Sequence, residues 1–256
     1  STAFALILPA MMAIVACALV ALSRFNLPAA RVWSLGFGLS AAAFVTSATV
    51  PSPHLAALAS DFFFIAAFCC YAGGFLTHFS LPLYRRERLA FASIYLIMNF
   101  YVVLRLESLH LELLLNDLAT SCLLGFALGR VMNHARSLAD RAAVMAGSAV
   151  VIDTLLRALI FVWSANTSDR LEDFAQSSYA EAMQVTTSII GLIYALSIAA
   201  ALIDRVIGQL REAADRDPLT QLLNRRGFDR CVERVSANRQ SAGAVVICDI
   251  DHFKQV

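Results

Sequence analysis

The chain has 256 residues, 59% of them hydrophobic and 15% charged, with 20 lysines and arginines against 19 aspartates and glutamates. Soluble domains are roughly half apolar and about a quarter charged, so this composition excludes an ordinary water-soluble enzyme and implies a membrane protein with a small aqueous part. A net charge of +1 supplies no basic field for nucleic acid, and it hides an uneven spread: charges are sparse up to Ile203 and dense beyond it.

A membrane span needs about 20 mostly apolar residues to cross about 30 Å of hydrocarbon. Seven such runs follow in chain order, at 3–22, 32–50, 54–78, 89–104, 110–129, 142–164 and 182–203. The first lacks a basic start and a small-residue cleavage site, so it is read as a span and not as a signal peptide. The six cysteines, at 17, 69, 70, 122, 231 and 248, have no paired spacing and are expected to be small core residues rather than disulfides or zinc ligands.

Arginines count unequally in alternate loops. Arg24, Arg31, Arg85, Arg86, Arg88, Arg130, Arg136 and Arg141 fall in one set, while Arg105 and Arg170 fall in the other. Basic residues near span ends are retained in the cytoplasm, so the larger set is expected inside, which puts the N-terminus outside and the C-terminal tail inside. Glu107, Glu112, Asp169, Glu172 and Asp173 then belong to the outer side.

A charged residue at a span centre costs roughly 2.5–3.5 kcal/mol, so each one asks for a partner. Asp153 and Arg157 in the sixth run stand four apart, acid first, the favourable helical order. Arg157 and Asp117 lie about eight residues, or about 12 Å, from the outer helix end, and Asp61 and Asn99 fall at similar depth. The expectation is a polar cluster of Asp61, Asn99, Asp117, Asp153 and Arg157 in the outer half of the bundle, with three readings open: a structural ion-pair network, a sensor site for an unknown small-molecule or membrane signal, or a route for protons or ions. His54, His78, His110 and His134 sit near span ends or in loops, and haem ligation by two of them is the weaker alternative to ordinary interfacial histidines.

The last run does not stop at the membrane. Leu196, Ala199, Ile203, Val206, Leu210 and Ala213 keep a 3-4-3-4-3 spacing that continues an apolar seam into water, as a short parallel coiled coil between two copies would. Ile203, Val206, Leu210 and Ala213 are its expected dimer contacts, and the rod should break where Asp217 precedes Pro218. After it come "DPLTQLLNRRGF" (217–228), an amphipathic helix to about Asn238, a polar turn and the apolar strand "AVVICDI" ending in "DHFK". A buried strand delivers Asp249 to its carboxyl end, where α/β sheets place ligands, and carboxylate oxygens suit Mg²⁺.

The string 217–228 resembles the opening D-x-L-T-x-L-x-N-R-R-x-F of the GGDEF domain of diguanylate cyclases, and "CDIDHFK" resembles that family's first metal-binding strand. Gln221 replaces the usual glycine after the threonine. The resemblance implies that Asp249 and the Ile250 carbonyl hold Mg²⁺ or Mn²⁺, that backbone amides near His252 and Phe253 face the triphosphate of GTP, and that Lys254 stabilises transition-state charge. It further implies a homodimer in a bacterial inner membrane, with a periplasmic N-terminus, that condenses two GTP into cyclic di-GMP. The fold expected is an all-α polytopic bundle of seven transmembrane helices over 1–203, a signalling helix over 204–216, and over 217–256 the first part of an α/β GGDEF domain. That portion precedes the base-recognition residues and the signature loop, so the fragment alone is expected to be inactive while its full-length parent is a cyclase. The alternative is a catalytically inactive GGDEF receptor or scaffold, and a transporter with a regulatory tail is the third class.

Overall fold

A computed structural model describes residues 2–163, 168–237 and 246. The chain divides into two compact units, Ser1–Arg205 and Val206–Val256.

The first unit is built from helices α1 (Thr2–Leu22), α2 (Pro28–Thr49), α3 (Pro53–His78), α4 (Arg85–Tyr101), α5 (Leu109–Val131), α6 (Leu138–Trp163) and α7, which runs Ser178–Ala214. Among the described residues, seven helices are long and apolar enough to cross a membrane, from Leu6–Phe25 to Ser178–Ala214. The end of the sixth expected run, at residue 164, lies outside the described residues. In hydrocarbon a backbone must satisfy its own hydrogen bonds, which is why long apolar runs become helices here whatever their propensities. Proline at the first position of α2 and α3 starts both helices where its missing N–H costs nothing. After α4 the chain makes a π turn, Val102–Leu106, and leaves it through Glu107 in the left-handed region (φ 51°).

Packing concentrates between α2 and α3, α1 and α2, α5 and α6, and α3 and α5. Large apolar side chains such as Ile14, Ile97, Leu159 and Ile189 face outward, as lipid contact requires. Inside, Trp33 meets Phe75 edge-on at 5.3 Å, and Phe37, Tyr71 and Tyr194 extend the aromatic stack with centroids 5.1 to 5.9 Å apart. Gly74 makes this possible, because a Cβ there would overlap the Trp33 indole. The expectation of core cysteines needs correction: the five described cysteines are free, but Cys17, Cys122 and Cys231 are exposed. For Cys17 and Cys122, in helices of membrane-crossing length, a small apolar thiol is as well placed against lipid as inside a core.

The two ends of the bundle are tied differently. At the end bearing the α3–α4 and α5–α6 connections, His78 Nε2 lies 2.7 Å from Asp140 Oδ1, and Arg88 donates to the carbonyls of Leu83 and Cys69. Arg130 donates to the Tyr84 hydroxyl at 2.9 Å and stands over its ring. At the opposite end Asp169 fastens the α6–α7 connection to the start of α5. Its carboxylate accepts from the His110 amide (2.7 Å) and from Ser108 Oγ (2.9 Å), lies 2.6 Å from His110 Nδ1, and so caps the helix. Partial burial pushes this carboxyl up, but the bonds from His110 and Ser108 outweigh it and leave it below its ordinary value.

In the second unit α7 ends at Ala214, earlier than the proline at 218 requires. The reason is a local clasp. Asn224 Nδ2 takes the Ala214 carbonyl (2.9 Å), and the Asn224 amide takes that of Asp215 (2.9 Å), so these carbonyls are answered outside the helix. Asp217 Oδ1 accepts from the Leu219 and Thr220 amides and from the Thr220 hydroxyl at 2.9 to 3.0 Å, which holds its carboxyl below the ordinary value. Gln221 then takes φ 60°, the left-handed region where glycine is unstrained. Asn224 Oδ1 caps α8 (Arg225–Ala237) by accepting from Gly227 N at 2.9 Å. Gly227 is held against Asp215, where a Cβ would overlap the carbonyl, and Arg230 grips the Asp215 carboxylate with both oxygens at 2.8 Å.

Two expected outcomes follow from these contacts. Replacing Gly74 with valine overpacks the Trp33 contact and lowers bundle stability by about 1–3 kcal/mol, measured as unfolding in detergent. Because the folded Asp169 carboxyl titrates below its unfolded value, its contribution is full above the unfolded pKa and fades as pH falls through the folded one. Stability of the wild type should therefore drop on acidification below the ordinary carboxylate range, and Asp169→Asn should flatten that part of the profile.

Candidate functional site

The interior of the first unit holds buried polar and charged side chains on α3, α4, α5 and α6. Asp61 of α3 and Asn99 of α4 are almost fully buried, and Asn99 Nδ2 donates to Asp61 Oδ2 at 2.8 Å. Glu112 of α5, 4% exposed, joins them, its carboxyl against that of Asp61. Beside them, Tyr95 donates to Asn116 Oδ1 at 3.1 Å.

A second group lies along α5, α6 and α7. The Tyr179 hydroxyl donates to Asp117 Oδ2 at 2.6 Å. Arg157 pairs with Asp153 at 3.1 Å and donates to the hydroxyls of Thr186 (3.1 Å) and Thr187 (2.8 Å), while its guanidinium stands 5.7 Å from the centre of the Tyr179 ring. Tyr179 thus joins Asp117 to Arg157 by a hydrogen bond on one side and a cation–π contact on the other.

The five expected residues therefore fall into two neighbouring groups. Asp61 bonds Asn99, and Asp153 bonds Arg157. Asp117 finds Tyr179 as its hydrogen-bond donor, where the depth argument had suggested Arg157. Glu112 stands apart from the loop acids with which the sequence grouped it, since it is inside the first turn of α5 and buried. The signal that identifies it is the i, i+4 and i+5 spacing of Glu112, Asn116 and Asp117 on a helix whose other face is apolar.

Two cavities open among these side chains. One, of about 80 Å³, is lined by residues of α1, α2, α3, α5, α6 and α7, including Asp117, Asp153, Arg157 and Tyr194. The other, of about 200 Å³, is lined by Asp61, Glu112 and Glu172 among others. They share Phe44, Phe64, Asn116, Tyr179 and Met183 as walls. The histidines are dispersed: His78 meets Asp140, His110 meets Asp169, and His54 lies 3.9 Å from Glu107. Among the described residues no group of three or more histidine, cysteine or acidic side chains is arranged to hold a metal ion.

The outer face of α7 is apolar and open. Leu196, Ile203 and Leu210 are exposed, Val206 is half-buried and Ala213 is exposed, while Tyr194, Ala195, Ile198 and Leu202 turn inward. Asp249, Ile250, His252, Phe253 and Lys254 lie outside the described residues.

No curated protein and no solved structure matches the chain. Residues 214–256 match the family model described as diguanylate cyclase, GGDEF domain, and this match, behind seven helices of membrane-crossing length and composition, is the pattern of a membrane-anchored GGDEF protein.

Proposed function

We propose that the chain is the sensing and anchoring portion of an inner-membrane diguanylate cyclase, whose helical bundle controls paired GGDEF domains that condense two GTP into cyclic di-GMP. The observation that carries this reading is the family match over residues 214–256. The clasp supports it, since Asp217, Thr220 and Asn224 each make hydrogen bonds that explain why the motif has that residue there.

The domains proposed are a bundle over 1–203, a signalling helix over 204–216 and the beginning of the α/β cyclase domain over 217–256. The arginine-rich turns face the cytoplasm and the N-terminus faces the periplasm, which puts the end bearing Asp169 and the two polar groups on the periplasmic side. Asp249 and the Ile250 carbonyl are oxygen donors of the kind hard divalent cations prefer, and Mg²⁺ or Mn²⁺ bound there would neutralise triphosphate charge. Backbone amides near His252 and Phe253 orient the phosphates, and Lys254 stabilises charge as pyrophosphate leaves. The 3′-hydroxyl of each GTP attacks the α-phosphate of the other, so two domains must face each other. The open seam of α7, with Ile203, Val206, Leu210 and Ala213 along it, is the surface on which two copies pair. Membrane lipid covers the rest of the bundle's outer face.

The test is cyclic di-GMP formation by the full-length protein in membranes supplied with GTP and Mg²⁺. Synthesis is expected, with Asp249→Asn and Lys254→Ala each lowering the rate by about 10²-fold or more. GTP binding without product would instead identify an inactive receptor. In a cysteine-free background, single cysteines at Val206 or Leu210 should form disulfides between copies on oxidation, whereas one at Gly208, on the opposite side of the helix, should not. Equal crosslinking at all three positions would remove the seam as the dimer contact.

A further inference from the structure

The two cavities in the bundle have a composition that selects their occupant. Their walls hold four carboxyl side chains that are not exposed, Asp61, Glu112, Asp117 and Asp153, against one base, Arg157, and no lysine or histidine; Glu172, at the rim, is exposed and pairs with Arg170. Arg157 is already taken by Asp153 and two threonines. The surplus is acidic in a region where water is scarce and an unanswered carboxylate is expensive.

The apolar wall of the smaller cavity is largely aromatic, with Phe37, Phe44, Phe64, Phe68 and Tyr71 around it. Aromatic faces attract a cation electrostatically and accept an apolar body. The Tyr194 hydroxyl, 2% exposed, also stands at the wall of the smaller cavity. A water fills about 10–15 Å³ on this scale, so the roughly 200 Å³ and 80 Å³ spaces hold several waters or a small organic molecule.

We infer that these adjoining cavities form one binding site for a small organic ammonium ion with an apolar or aromatic body, its nitrogen answered by Asp117 or by the Asp61–Glu112 pair and its body against the phenylalanine wall. An inorganic cation would leave the aromatic surface unused, and an anion would meet the acidic surplus. This names the class of signal for the sensor reading above and rests on that reading only for its effect on output.

The experiment uses the chain in lipid nanodiscs at pH 7 and follows thermal unfolding with phenethylamine as the probe. A bound ligand raises the unfolding midpoint in a saturable way, and that is the expected result. Phenylacetate and 2-phenylethanol, of similar size but anionic and neutral, should leave the midpoint unchanged. Asp117→Asn or Asp61→Asn should weaken the amine effect by more than about tenfold. Met183→Trp, which fills the shared wall without altering a charge, should abolish the effect in a protein that still unfolds cooperatively. The site is overturned if the amine gives no saturable shift, if either comparator or Ca²⁺ alone matches it, or if Met183→Trp leaves it intact. Cyclic di-GMP in cells expressing the full-length protein is then read with and without the amine. Binding without a change in output would sink the sensor role and leave the site standing, whereas absent binding removes the site and leaves the cyclase reading untouched.

Discussion

A carboxyl group among seven apolar helices has only neighbouring side chains to answer it, and that requirement organises the first unit. Asp61 takes Asn99 and Glu112, Asp117 takes Tyr179, and Asp153 takes Arg157. These contacts join α3 to α4 and α5, α5 to α7, and Arg157 of α6 to Thr186 and Thr187 of α7. Apolar packing alone discriminates poorly between helix neighbours in lipid, since a leucine is as well accommodated by acyl chains as by another leucine. Polar pairs do discriminate, because a wrong neighbour leaves a buried charge unpaired.

The second unit solves a different problem with equally local means. A helix that ends in water leaves its last carbonyls open, and here a single asparagine answers one of them while its other amide atom starts the next helix. Asp215 is held from two directions, by the Asn224 amide on its carbonyl and by Arg230 on its carboxylate. The junction between α7 and α8 is therefore set by hydrogen bonds and by the close approach of Gly227, with little apolar burial. Leu219, Leu222 and Phe228 remain exposed in this unit.

Much of this was legible beforehand because it depends on short-range periodicity. The seven apolar runs need only hydropathy and length, and the Asp153–Arg157 pair needs only the four-residue helical spacing. The meeting of Asp61 and Asn99 follows from equal depth in adjacent spans. The partner of Asp117 did not follow, because Tyr179 lies at the very start of α7 and depth counting from the apolar run alone began at residue 182. Glu112 falls inside the expected run 110–129, but its nearness to the outer end groups it with the acids of that side; that it is buried beside Asp61 depends on how α5 packs against α3. Gln221 shows the converse. The departure from glycine was visible in the string, yet its meaning, a side chain held at φ 60°, required the backbone.

These pieces meet in α7. The helix contributes Tyr179, Thr186 and Thr187 to the polar interior and carries the apolar seam of Ile203, Val206 and Leu210 on its outward side. In the cyclase reading, the residues that answer Asp117 and Arg157 lie on the same helix as the seam proposed for pairing. A ligand can bias such an element only by the difference in its affinity for the two arrangements. Asp117 Oδ2 accepts from Tyr179, so an ammonium held by Asp117 would share its carboxylate with the bond that ties α7 to α5. The path from such a ligand to the seam would then be short, because the shared carboxylate touches α7 directly through Tyr179.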